Sequence, residues 1–319
     1  MTGPCPKRLD RTRLPCETGF NIMTTGIPST NRSLRLAPAE SAEDLAQRYA
    51  REKRIVSGEQ ERRLEVEPSR FRIGSPPYLN VAPLIRGLED KVLYAVPSEL
   101  ARMLHQGELD AALLSVSEAL LRDEYDILDG IAIASLGEVK SVLLAHRRPL
   151  DQIREVYCDP ASLCSVNLLR VLFAERRIGA EFKALRSYDP ATLPDEVLLI
   201  GDRALDLALG PTEHQIWDLG AAWYEMTQLP FVHAVWVLRR GQDTRDLIRI
   251  LREARDFGMD TLDYLVESRT EYTRDFRRDY LGWHIHYHLG MDEKRGLARF
   301  TDLLRRHTPG PVHDPRFVA

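Results

Sequence analysis

The sequence predicts an α/β protein built as two lobes with a ligand cleft between them. Three observations predict it. Apolar runs of strand length alternate with helical segments, which is the grammar of βα units. That alternation occurs twice, over about residues 70–146 and again over 156–238. Everything after Arg240 then reads as helix, a tail suited to packing back on the first block. The expected division is lobe I from residues 69–145 plus 251–319, and lobe II from 146–250. Residues 1–68 mix Pro/Gly/Thr stretches with a charged run, and are expected to be a disordered N-terminal extension.

Each element has a local reason. Phe71–Gly74 is a short strand that ends in a Pro-rich turn, and a helix follows near Asn80 with Pro83 tolerated in its first turn. Val92–Val96 is β-branched and aromatic and stops at Pro97. Ser98 is expected to cap a helix that reaches His105 and ends at Gly107. Ala111–Val116, Ile131–Ala134 and Val139–His146 are strands, with a helix near Glu118–Arg122. The second block repeats the pattern. Val156–Cys158 and Val197–Gly201 are strands, Ser162 caps a helix to about Arg177, and Asp202–Leu209 is a helix. Phe231–Leu238 is a further strand. The tail reads as helices over Thr244–Phe257, Met259–Ser268, Arg278–Leu289 and Asp292–Arg306. Largely parallel sheets follow from this order, with a cleft at the carboxyl ends of the strands where helix N-termini converge. Such a cleft favours small anions.

Composition excludes several function classes. The chain has 319 residues and a formal net charge of -4, which argues against a general nucleic-acid binder. No apolar run approaches the roughly 20 residues of a membrane helix, and the first residues do not read as a secretory signal. Four cysteines, Cys5, Cys16, Cys158 and Cys164, are too few and too scattered for a disulfide framework. A cytoplasmic protein with a small-molecule partner is expected. Neither nucleotide-binding glycine motif occurs, nor any H-E-x-x-H or C-x-x-C. In Trp283-His-Ile-His-Tyr-His-Leu289, a helix would put His284 and His288 on one face with His286 pointing away, so three ligands would not converge. No metal is expected.

Several segments together carry a resemblance. They are Arg72-Ile-Gly-Ser-Pro-Pro-Tyr-Leu-Asn80-Val-Ala-Pro-Leu84, Gly107-Glu-Leu-Asp-Ala-Ala-Leu-Leu-Ser115, Gly137-Glu-Val-Lys-Ser141-Val-Leu-Leu and Asp159-Pro-Ala-Ser-Leu-Cys-Ser165. Leu199-Ile-Gly-Asp-Arg-Ala-Leu205, Asp218-Leu-Gly-Ala-Ala-Trp223 and Leu229-Pro-Phe-Val-His-Ala-Val-Trp236 complete the set. In this order and spacing the chain resembles the chorismate dehydratase family of menaquinone biosynthesis, over about residues 70–305. The resemblance implies a type-II periplasmic-binding-protein-like fold used by a cytoplasmic enzyme. It implies dehydration of chorismate to 3-[(1-carboxyvinyl)oxy]benzoate, the first step of the futalosine route, with no cofactor. The Tyr78-Leu-Asn80 turn favours this over the more distantly similar 1,4-dihydroxy-6-naphthoate synthase. A non-catalytic anion-binding module on the same fold is the other alternative.

The resemblance carries over onto particular residues. Asn80 and Ser141 are the catalytic candidates, with Asn80 a positioner of hydroxyl and carboxylate, since an amide is too weak a base. Read from the residues alone, Asn80 is first of all a helix cap, and Ser141 can be a strand serine bonded to a neighbouring carbonyl. Ser162, Cys164 and Ser165 are expected to cradle a carboxylate at a helix N-terminus. Here the chain departs from the family's usual Ser-Arg-Thr-Ser, because Leu163 and Cys164 replace the Arg and Thr. Tyr78, Ser115 and Gly201 complete the substrate-binding candidates. Asp202 is expected to cap its own helix, and Trp223, Phe231 and Trp236 to belong to the core.

Overall fold

A computed structural model describes residues 71–160 and 163–319, together with the single positions Gln47 and Arg54. The expected N-terminal extension, those two positions apart, and Ser162 lie outside the described residues. In chain order the strands are β1 (Ile73–Ser75), β2 (Val92–Tyr94), β3 (Ala111–Ser115), β4 (Tyr125–Ser135), β5 (Val142–His146) and β6 (Glu155–Cys158). They continue as β7 (Glu181–Ala184), β8 (Glu196–Ile200), β9 (Gln215–Asp218), β10 (Phe231–Arg239) and β11 (Phe317–Val318). Two sheets result, one ordered β11-β4-β10-β3-β1-β2 and the other β7-β6-β8-β5-β9.

The sheets divide the chain elsewhere than at the expected boundaries. Strand β5 pairs with β8 and β9, so it belongs to the second lobe. Strand β10 lies between β3 and β4, in the first lobe. All four of these pairings are antiparallel, whereas β1 with β2 and β3, and β6 with β7 and β8, run parallel. The sheets are therefore mixed, not largely parallel. Apolar runs reveal that a strand exists but not which direction or sheet it joins, and both misplaced strands are the ones that cross between lobes. The short edge strands β7 and β9 escaped the sequence reading because they are largely unburied and carry little apolar pattern.

The helices are α1 (Pro97–His105), α2 (Val116–Leu121), α3 (Leu163–Glu175), α4 (Gly201–Leu209), α5 (Leu219–Thr227) and α6 (Arg245–Asp260). They end with α7 (Leu262–Ser268), α8 (Arg274–Asp279) and α9 (Met291–His307). Helix α1 starts with Val96 as cap and Pro97 in the first turn, so Ser98 does not cap it. In the tail, α8 stops at Asp279, followed by one widened turn, Tyr280–His284. The chain then runs extended, and His286 bridges to Ala134 of β4 through two backbone hydrogen bonds of 2.8 and 2.9 Å. The expected helix over 278–289 is thus wrong in its second half. Ile285, Tyr287 and Leu289 are buried while His284, His286 and His288 are not, a period of two that is the signature of a strand.

Aromatic packing anchors the first lobe. Trp223, Phe231 and Phe300 meet edge to face with centroids 4.9–6.0 Å apart, and Trp223 Nε1 donates to the Pro230 carbonyl at 3.1 Å. Trp236 is also wholly buried. Helix α6 packs against the 3-10 turn Leu79–Leu84. A methyl group at Gly258 would stand 1.8 Å from the Pro83 carbonyl oxygen, so only glycine allows this approach. Among the described residues no helix is long and apolar enough to cross a membrane.

Candidate active site

Residues of both lobes line a cleft that opens to solvent. Tyr78, Asn80, Ser115, Ser141, Cys164, Ser165 and Gly201 all reach it. Among the described residues, no Lys or Arg lines it. The first turn of α3 presents its leading residues to the space and supplies a helix N-terminus there.

Asn80 is the second residue of the Leu79–Leu84 turn, and Tyr78 holds the cap position without a side-chain bond. Asn80 therefore caps nothing. Its Oδ1 is buried and has no hydrogen-bond partner, an arrangement that costs free energy unless a ligand completes it. Ser141 is buried, and its Oγ makes a long 3.4 Å hydrogen bond to the Val139 carbonyl. Tyr280, unread in the sequence because it was assigned to a helix interior, touches both. Burial raises its phenol well above the usual value, and hydrogen bonding from Ser141 and Asn80 works the other way.

Gly201 takes a left-handed conformation (φ +59°), and a side chain there would stand 3.0 Å from the Tyr78 ring. Its N–H donates to the Ser141 carbonyl at 2.9 Å. The glycine thus admits Tyr78 and ties α4 to Ser141, and its amide is not free to meet a ligand. Burial, reinforced by the Asp159 charge, pushes the Tyr78 phenol up to about 12. Asp202 accepts the Leu79 N–H at 3.4 Å across the lobes, and it stands inside the first turn of α4, whose cap is Ile200. The expected self-cap is therefore replaced by a contact that supports the Asn80 turn.

Two further groups went unread. His233 lines the cleft from β10, with its Nε2 2.9 Å from Ser135 Oγ, and burial pushes its pKa down to about 3. It is a neutral hydrogen-bonding wall. Asp218 accepts from the N–H groups of Val139 (3.1 Å to each oxygen), Lys140 (2.7 Å) and Ala221 (3.0 Å). One carboxylate clamps the crossing between β4 and β5 and also caps α5. Both lie inside motifs that carry the resemblance, His233 within Leu229–Trp236 and Asp218 at the head of Asp218–Trp223.

The chain matches the family described as menaquinone biosynthesis over residues 71–306. It belongs to that family. This family member is similar to the chorismate dehydratase of Thermus thermophilus, 34% identical over 257 residues, which are 73% of this chain and 95% of the relative. It is also similar to the chorismate dehydratase of Campylobacter jejuni, 29% identical over 227 residues, covering 70% of this chain and 88% of the relative. Among solved structures, a protein from Archaeoglobus fulgidus aligns with a TM-score of 0.60 at 16% identity, over 74% of this chain and 97% of that one. The alkanesulfonate-binding protein SsuA from Xanthomonas axonopodis pv. citri aligns with a TM-score of 0.53 at 13% identity, over 79% and 99%. The fold is that of the periplasmic binding proteins.

In this member of the menaquinone-biosynthesis family, the departure at Leu163 and Cys164 has a visible consequence. The Cys164 thiol is buried against the start of α2, beside Ser115, Val116 and Ser117. Burial nevertheless outweighs these contacts and pushes the thiol up to about 11, so it is neutral. Ser115 Oγ caps α2 by accepting the Ser117 N–H at 3.2 Å. Cys164 and Ser115 thus fasten the two lobes to each other, which leaves Ser165 as the hydroxyl of α3 available to a ligand.

Proposed function

We propose that the chain is a hydro-lyase that removes water from chorismate to give 3-[(1-carboxyvinyl)oxy]benzoate, on the route to menaquinone. The observation that carries this reading is the 34% identity that spans 95% of a chorismate dehydratase. It is supported by a cleft whose polar groups are amides, hydroxyls and a helix N-terminus. A dianion of this kind needs two anion subsites; the start of α3 offers one and the Asn80 amide the other.

The chemistry asks little of a strong base. The ring C3–H electron pair becomes a new ring double bond, the C4–O bond breaks, and the hydroxide leaves with the proton as water. Aromatisation drives the step, so the protein's work is positioning and stabilising the departing oxygen. Asn80, with an unpaired Oδ1, accepts from the C4 hydroxyl and donates to the enolpyruvyl carboxylate, which stands beside the C3 proton as the acceptor. Ser141, backed by Tyr280, donates to the leaving oxygen. Ser165 and the first turn of α3 hold a carboxylate, with Ser162 next to them in the sequence. Tyr78 and His233 close the ring pocket without adding charge. A cytoplasmic location accompanies this reading.

The test is direct. Purified protein mixed with chorismate is expected to produce the aromatic product catalytically, read by absorbance and chromatography. Binding without turnover above the spontaneous decay of chorismate would leave a solute-binding module, as the alkanesulfonate-binding protein SsuA is. Turnover only of another cyclic enol-ether acid would reassign the substrate.

A further inference from the structure

Outside the cleft, the extended segment after His284 brings two histidines and a glutamate together. His286 and His288 lie two residues apart on one face, their rings 5.4 Å apart and 15° from parallel. Glu293, in the first turn of α9, reaches the same place. One donor atom from each of the three residues falls within 4.8 Å of the others. The Glu293 carboxylate divides its work. Its Oε2 accepts the Gly290 N–H at 2.9 Å, whereas Oε1 points at His288 Nε2 (3.1 Å) and His286 Nδ1 (4.0 Å).

Two features separate this cluster from an ordinary surface ion pair. Glu293 is only 4% exposed, and a buried carboxylate requires compensation by a charge. The nearest cation along the chain does not supply it, because Lys294 is spent on Asp129 at 2.7 Å. In addition, His286 Nδ1 is buried and without a hydrogen-bond partner, although it faces the carboxylate. A neutral ring nitrogen and a carboxylate oxygen that do not bond each other are two acceptors aimed at one spot. A cation between them satisfies both.

We propose that His286, His288 and Glu293 bind a divalent cation of the zinc class. Two imidazoles and one carboxylate form a borderline N₂O donor set, suited to zinc, cobalt or nickel and unlike the all-oxygen sets of calcium and magnesium. Bond lengths of about 2.0–2.2 Å put tetrahedral ligand atoms roughly 3.3–3.5 Å apart, so the set contracts by about 1 Å on binding. The exposed His288 supplies that motion by ring rotation, since near-parallel rings cannot both aim a lone pair at one point. The fourth position faces solvent and takes water. The site ties the His286 bridge on β4 to the start of α9, so the metal staples the helical tail to the first sheet. None of the three residues lines the cleft, which makes this a stabilising site and not part of the elimination.

The test uses the full chain without added histidines, stripped of metal and titrated with Zn²⁺ alone by calorimetry. One ion per chain is expected. Affinity should fall more than about tenfold in His288→Ala and in the His286→Ala/His288→Ala pair. Saturating Zn²⁺ should raise Tm by about 5 °C in the parent chain and leave the double variant unmoved. His288 is exposed, so its variant keeps the fold, and Glu293→Gln provides an independent check that preserves the helix cap. Equal zinc stoichiometry and affinity in parent and double variant would overturn the proposal, as would the absence of saturable binding in the parent.

Discussion

Removing the Asp218 carboxylate should loosen the joint between the lobes by a calculable amount. In Asp218→Ala, the N–H groups of Val139, Lys140 and Ala221 lose their acceptor. Charge-assisted hydrogen bonds contribute about 1.5 kcal/mol each, which gives about 4–5 kcal/mol for three. Burial of the carboxylate, evident in its raised pKa, takes back part of that, leaving a net loss of about 3 kcal/mol. Asp218→Asn keeps one acceptor but turns an NH₂ toward a donor, and should lose about 2 kcal/mol. Urea denaturation followed by far-UV circular dichroism measures both. The asparagine variant stays folded enough to assay, and its KM for chorismate should rise, because the loop that Asp218 holds leads directly to Ser141. A loss below about 0.5 kcal/mol in Asp218→Ala would refute the clamp, and an unchanged KM in Asp218→Asn would refute its link to the site.

Asn80→Ala should unfold no more readily than the parent, since Asn80 caps nothing, yet lose kcat by about 10²–10³; steady-state kinetics with near-native turnover would remove Asn80 from the chemistry. Tyr280→Phe keeps the buried ring and deletes the hydroxyl against Asn80 and Ser141, so kcat should drop about tenfold while KM holds, a split that a purely structural phenol would not produce. Gly201→Ala combines left-handed strain of about 1 kcal/mol with a 3.0 Å contact on the Tyr78 ring, and its kcat/KM should fall roughly tenfold. His233, neutral when folded with a pKa of about 3, takes up its proton on unfolding at about 6.5. The unfolded state therefore binds more protons between those values, and stability is lost as pH falls through that window. From pH 7.5 to pH 5 this amounts to about 2 kcal/mol, and His233→Phe should flatten the corresponding Tm profile; an unaltered slope would mean that His233 does not titrate on unfolding.

Much of this was legible in the sequence, and the remainder was hidden for identifiable reasons. Strand runs such as Ala111–Ser115 and Phe231–Arg239 announced themselves because both faces are buried. Seven of the eight residues singled out for the site line one cleft, while Ser162 is outside the described residues. Direction of strand pairing was not legible, because hydrophobic pattern carries no orientation, and so β5 and β10 were assigned to the wrong lobes. The segment from Tyr280 to Leu289 failed for a different reason. Its alternation of apolar and His residues was read with a period of 3.6 when the actual period is 2. That single error hid the histidine pair beside Glu293. Gly201 and Asp202 sat where expected but serve the neighbouring lobe, a distinction that only tertiary contact reveals.

The insertion of β10 between β3 and β4 also dictates how the molecule comes into being. Every strand of the second sheet has left the ribosome by Asp218, so that sheet can be completed while synthesis continues. The first sheet has no such option: β1 to β3 and β4 remain two unjoined pieces until residues 231–239 arrive to sit between them. The Asn80 turn waits longer still, for Gly258 and then Tyr280. A chain interrupted between Asp218 and Tyr280 therefore holds every strand of the second sheet and no working site, and catalytic competence appears only as the last fifth of the polypeptide is made.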